Sequence, residues 1–212
     1  VAKQERAERT RTAILDAAAE AFEEHGFAGA RLSDILARAS VTKGALYFHF
    51  QSKEEIARAI IDEQFTIWPV PDPADNAGVQ GFIDLTHEMA RRLQGDVRIR
   101  ASIRLVIEYG TFTDPATTAY QGWISTGERF LGHAQDKGDV RAEVSPRDVA
   151  TYIIGSFTGV QVSSEVLSGR TDLSDRVTTM WRIILPGIVA PRRLARFRPE
   201  GSTTPARAGL TA

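Results

Sequence analysis

Apolar residues recur along this chain at helical spacing almost throughout. Ile14, Leu15, Ala18, Ala21 and Phe22 fall at three- and four-residue steps, so one helix face carries them. Glu20, Glu23 and Glu24 fall largely off that face. His25-Gly26 predicts the end of this helix, because glycine adopts the left-handed cap. Ser33 predicts the cap of a second helix over 34–39, and Thr42 that of a third over 43–49. Ser52 and Glu55 have the spacing of a capping box, opening a fourth helix to about Phe65. Three prolines within 69–73 then impose a loop. Helical spacing resumes over 78–93 and 97–109. Asp114-Pro115 and Ser145-Pro146 each pair a cap with a proline at the first helical position, predicting helices over 116–137 and 147–166. A last helix is predicted over 172–185, before Pro186 and Pro191. No strand alternation and no internal repeat is visible. The pattern predicts an all-α chain.

Length bounds this picture. With 212 residues the chain can bury a sizeable core in one large domain or two small ones. The expected division is a head over 1–52, a helical body over 53–191 and a basic, mobile tail over 192–212. The formal net charge is −1, so any nucleic-acid contact must come from a local patch. The absence of cysteine excludes disulfides, thiolate nucleophiles and Cys-ligated zinc. The opening residues are polar, and the longest weakly polar stretch, 152–162, is too short to span a bilayer. A cytoplasmic protein without a membrane role is the expectation. The 22 arginines against 4 lysines suggest GC-rich coding DNA, such as that of an actinomycete.

The informative segment is 32–50, LSDILARASVTKGALYFHF. Two short helices joined by Ser40-Val41-Thr42 match a helix-turn-helix, with Leu32, Ile35, Leu36, Val41, Leu46 and Phe50 placed to clamp them together. In such a unit the second helix enters the DNA major groove, its N-terminal residues nearest the bases. That end offers Thr42, Lys43 and Gly44. Lys43 can donate to guanine O6 and N7. Gly44 and Ala45 let backbone and DNA approach closely. Tyr47 and His49 are placed to reach flanking phosphates, and Lys53 in the next helix is another phosphate position. Between Arg31 and Lys53 four basic residues face one acid, Asp34, a net of +3. On this pattern alone an ordinary solvated helical hairpin stays open, because short helix pairs are common.

Phe22 to Ile56 carries Gly26-Phe27, Asp34-Ile35, the run Val41 to Phe50 and Lys53-Glu54-Glu55. These residues resemble the N-terminal domain of TetR-family repressors. The resemblance implies a three-helix DNA-binding head, joined by a long fourth helix to a larger helical ligand-binding and dimerisation domain. It gives Lys43, Tyr47, His49 and Lys53 the DNA-contact roles. Arg31 departs from the small hydroxyl residue common in relatives, and either strengthens a phosphate contact or shifts half-site preference. Further along, residues 100–105, Trp123, 159–164 and 184–186 resemble the narrower group of γ-butyrolactone-type autoregulator receptors of actinomycetes.

That resemblance implies a homodimeric repressor on a pseudo-palindromic operator, released by a diffusible butyrolactone or butenolide and controlling antibiotic or signalling genes. No cofactor and no metal are implied. Trp123 can line a ligand cavity or simply fill one, and the resemblance favours lining. Gln64 and Thr158 are ligand contacts, or else a helix-surface Gln and a Thr bonded back to its own helix. Gln161 is a further candidate. The fourth helix would couple the two functions, running from Lys53 at the head to Gln64 at the pocket. Apolar stripes at Val149, Ile153, Phe157 and Val160, and at Val177, Met180, Trp181, Ile184 and Ile188, would form a four-helix dimer interface or only cover the monomer core. Two other readings remain: a pseudo-receptor answering to an antibiotic or other apolar molecule, and a ligand-independent DNA-binding protein. For an enzyme, the histidines His25, His49, His87 and His133 show no metal-ligand spacing, and no phosphate loop or nucleophile elbow appears.

Overall fold

A computed structural model of the chain describes residues 2–66, 78–109 and 114–202. The described residues form α1 (Ala2–Gly29), α2 (Leu32–Ala39), α3 (Lys43–His49), α4 (Lys53–Thr66), α5 (Gly78–Gly95), α6 (Val97–Tyr109), α7 (Asp114–Asp136), α8 (Pro146–Ser168) and α9 (Leu173–Ile188), with a 3-10 turn at Pro191–Arg196. The all-α expectation holds among them. The chain divides into two compact units, Val1–Pro69 with Gly95–Gln121, and Val70–Gln94 with Gly122–Ala212. The first unit therefore gathers α4 and α6 with the head helices, beyond the sequence boundary at 52/53.

In the first unit the apolar face of α1 is buried: Ile14, Leu15, Ala18, Ala21 and Phe22 are all inaccessible. α1 packs on α2, α3, α4 and α6, and α6 also packs on α4. Ile35, Leu46, Phe50, Ile56, Ile60 and Ile61 complete the core. As the sequence predicts, the regular helix breaks at Gly26, whose backbone leaves helical geometry at φ 69° and ψ 175°, and a further short helical stretch reaches Gly29. Beyond the break, the Phe27 amide donates to the Glu108 carboxylate of α6 at 3.0 Å. The positive φ at position 26 is what favours glycine there.

The second unit is built around an aromatic cluster. Phe82 of α5 stacks on Phe130 of α7 at 6.1 Å and meets Trp181 of α9 edge-on at 5.5 Å. The Trp181 indole N–H donates to the Thr86 hydroxyl at 2.7 Å, which donates to the Ile83 carbonyl. Its one polar atom is thus satisfied in the core. Gly127 admits this packing, because a Cβ there would lie 2.6 Å from the Phe82 ring.

Several local expectations shift. The cap of α2 is Arg31, in extended backbone, while the Ser33 hydroxyl turns to Asp34. Ser52 accepts the Glu55 amide as a capping box requires, but the Glu55 carboxylate takes the Gln51 amide instead of that of Ser52. Helix α9 runs through Pro186 to Ile188, since a proline in the last turn removes only one backbone bond. The segment after it is not a loose tail as far as residue 202. Asp139 pairs with Arg193 and Arg196, Gln80 accepts the Arg198 amide, Asp84 accepts the Ser202 amide, and His87 bonds the Pro199 carbonyl. These polar partners on α5 and the α7–α8 connection fix a segment whose composition alone suggests mobility. Residues 203–212 lie outside the described residues.

Candidate nucleic-acid interface and ligand-facing residues

The turn between α2 and α3 is set by Ser40, in the left-handed region at φ 52° and ψ 39°. Its amide and that of Val41 return to the carbonyls of Ala37 and Leu36, ending α2. Thr42 then caps α3, its hydroxyl accepting the Ala45 amide at 3.2 Å. Ile35, Leu46 and Phe50 bury the inner side of the pair. Leu32, Leu36 and Val41 are half-buried around them.

The opposite side of α3 faces solvent. Thr42, Lys43, Gly44, Tyr47 and Phe48 are exposed, with Ala45 and His49 half-buried. The Lys43 ammonium lies 5.8 Å from the Tyr47 ring centroid. A Cβ at Gly44 would meet nothing within 4 Å, so nothing inside the chain demands glycine there. Arg31 is exposed at the N-cap of α2. Phe48, at 76 % exposure, was missed by the sequence reading, which looked for polar tips on this helix. Its signal was its place between Tyr47 and His49, one turn after Gly44.

Two of the expected cations are engaged within the chain. Arg38 pairs with Glu20 at 3.3 Å and with Glu24, whose carboxyl it holds below its ordinary pKa. The Lys53 ammonium donates to the carbonyls of Phe27 and Ala30 at 2.7 and 3.0 Å and lies 4.5 Å from the Phe27 ring centroid. It closes the C-terminal end of α1 against α4. The sequence count of +3 therefore overstates the charge this segment offers to a partner.

A second polar arrangement ties α6 to the head. Arg98 reaches three groups: Asp16 at 2.6 Å, Glu63 at 2.8 Å and the Thr12 carbonyl at 3.1 Å. Arg100 pairs with Glu23, and Arg104 bonds the Glu23 carbonyl and the Glu108 carboxylate. Pairing across 35 to 86 residues leaves no local signal in the sequence.

In the second unit, Thr158 donates to the Ile154 carbonyl at 2.9 Å, the back-bonded arrangement. Gln161 is 2 % exposed and its Oε1 has no hydrogen-bond partner among the described residues. It falls on the inner face of α8 with Ile153 and Ser164. Trp123 is half-buried on α7. The Gln64 side chain lies outside the described residues. The α9 stripe proposed for a dimer is internal instead: Val177, Met180, Trp181, Ile184 and Ile188 are buried within the chain, as is Ile153 of α8. The apolar residues left outside are Tyr152, Val162, Val166, Leu167 and Ile183. Between α8 and α9 runs an open groove of about 490 Å³, lined by Tyr152, Ser156, Val160, Met180 and Ile183 among others. Hydrophobic period alone does not say which side of a helix pair meets the core.

Comparison with known proteins agrees with this geometry. Residues 14–60 match the family of bacterial regulatory proteins of the tetR type, and residues 76–190 match the tetracyclin repressor-like C-terminal domain. The chain is 43 % identical over 201 residues to the A-factor receptor protein of Streptomyces griseus, covering 95 % of this chain and 71 % of that protein. The structure of full-length TylP, a TetR regulator from Streptomyces fradiae, matches with a TM-score of 0.77 at 36 % identity, over 90 % of this chain and 92 % of that one. A γ-butyrolactone receptor described as ArpA-like matches with a TM-score of 0.76 at 31 % identity, over 92 % and 96 %. Among the described residues no helix is long and apolar enough to cross a membrane. The chain belongs to the TetR family of DNA-binding transcriptional regulators.

Proposed function

We propose that this regulator is a homodimeric repressor of a pseudo-palindromic operator, released by a γ-butyrolactone or butenolide, and that it controls antibiotic or signalling genes. The observation that carries the DNA half is the outer side of α3, where capped backbone, Lys43, an unhindered Gly44 and Tyr47 all face outward. Lys43 discriminates bases. Thr42, Gly44 and Ala45 allow close approach, while Arg31, Tyr47 and His49 contact phosphate. Lys53 joins them through its third N–H donor, the other two holding it in place.

The ligand half is supported by Gln161, whose buried acceptor lacks a partner among the described residues. A buried polar group without a hydrogen bond costs on the order of 1–3 kcal/mol, which a ligand donor would recover. Trp123, Thr158 and Gln64 supply the apolar wall and further polar contacts. The names of the A-factor receptor and the γ-butyrolactone receptor support the ligand class. A coupling on the order of 3 kcal/mol between ligand and operator lowers DNA affinity about 100-fold. The exposed apolar residues of α8 and α9 support a twofold interface.

Fluorescence anisotropy at fixed salt tests this reading. DNA from upstream of the regulator's own gene is titrated with and without butyrolactones and butenolides. Tight binding released by one of them is the expected result. Tight binding that none releases overturns the ligand class and favours a pseudo-receptor.

A further inference from the structure

Phe48 is a large apolar side chain on a surface that otherwise offers polar groups and glycine to DNA. It is 76 % exposed, and its ring meets the His49 edge at 5.0 Å. Gly44 lies one helical turn before it, on the same face. Helical side chains lean toward the N-terminus, so a Phe at position 48 reaches over the turn that carries Gly44. The missing side chain at Gly44 leaves open space there. A flat apolar ring beside a glycine gap is therefore presented to whatever enters from outside.

The floor of the DNA major groove is almost wholly polar. Its one apolar group is the thymine C5-methyl. A ring in that groove gains only where it covers such a methyl, and loses solvation against the N–H and C=O edges of other bases. The rise of 1.5 Å per residue sets Phe48 about 7.5 Å along the helix axis from Lys43, roughly two base-pair steps.

We propose that Phe48 reads the C5-methyl group of a thymine about two base pairs from the base that Lys43 contacts. Phe48 then fixes a second operator position by apolar contact, beside the polar contact of Lys43. The inference rests on the reading above that α3 enters the major groove.

The test uses the full chain and a duplex that it selects from a random-sequence pool. That duplex is resynthesised with deoxyuridine in place of each thymidine in turn, which removes one methyl and nothing else. Anisotropy titrations compare the wild type with Phe48→Ala and Phe48→Leu, with circular dichroism confirming their helical content. One thymine in each half-site is expected to lose about fourfold in wild-type affinity on demethylation. Phe48→Ala is expected to be indifferent to the same change, and Phe48→Leu to respond partly. The proposal is overturned if no demethylation separates the wild type from Phe48→Ala. A pool from which nothing is enriched overturns the groove reading of α3 itself, and this contact with it.

Discussion

Both units bury apolar cores, but what is added to that packing differs. In the first, arginines also join α6 to α1 and α4: Arg98 to Asp16 and Glu63, Arg100 to Glu23, and Arg104 to the end of α1. In the second, α5, α7 and α9 meet through an aromatic cluster, Phe82 stacked on Phe130 and edge-on to Trp181. Aromatic packing is non-directional in its main driving force and contributes heavily to stability. Charged hydrogen bonds add less net stability, because desolvation offsets their attraction, but they define one geometry sharply. The proposed DNA surface on α3 lies in the first unit, where the polar seam defines one geometry, while the second unit leaves apolar residues of α8 and α9 outward.

The strongest challenge to this contrast is Trp181→Ala. Removing a fully buried indole and its bond to Thr86 should cost about 3–5 kcal/mol, read by urea denaturation. A cost near that of a surface substitution would refute the assignment of stability to the ring cluster. Ile183→Glu comes next. It places a charge on the exposed apolar side of α9 without touching the core, so sedimentation should show the proposed dimer shifted to monomer relative to the wild type. Arg98→Ala should cost about 2 kcal/mol, since Asp16, Glu63 and the Thr12 carbonyl each lose one donor at a position only 19 % exposed. Arg98→Lys should recover little, because one ammonium does not reproduce a planar fork serving three acceptors.

The smallest effect concerns Asp172. Hydrogen bonds from the hydroxyls of Ser164 and Ser168, with Arg176 behind them, hold its carboxyl at about 2, below the usual 3.8. Its pKa is lower folded than unfolded. The stabilisation is therefore complete above about pH 4 and is lost as pH falls through about 2. Unfolding followed between pH 5 and 2 should show a weaker pH response in Ser164→Ala than in the wild type.

Much of the head is legible in the sequence because its determinants are local. Thr42 caps α3 three residues from the amide it accepts, and Ile35, Leu46 and Phe50 fall at the spacing that clamps two helices. What escaped notice depends on residues far apart in the chain. Gly26 stops the regular helix as its type suggests, but its neighbour Glu108 of α6 leaves no local signal. Lys53 reads as a cation near α3, and only the structure gives it the carbonyls of Phe27 and Ala30. Apolar α8 and α9 are evident from their period, whereas their outward side, at Tyr152 and Ile183, emerges only from packing. On the ligand side, residue type marked Gln161, but only its burial and unpartnered oxygen raise it above Thr158, which satisfies itself on its own helix.

In the proposed switch, DNA recognition and ligand response reside on separate residues. Gln161→Leu tests this most directly, in anisotropy titrations on operator DNA with a releasing butyrolactone. DNA affinity is expected to be unchanged from the wild type, with the lactone concentration needed for release raised about tenfold or more, the worth of a lost hydrogen bond in a buried site. Release at the wild-type concentration, or loss of DNA binding together with release, would contradict it.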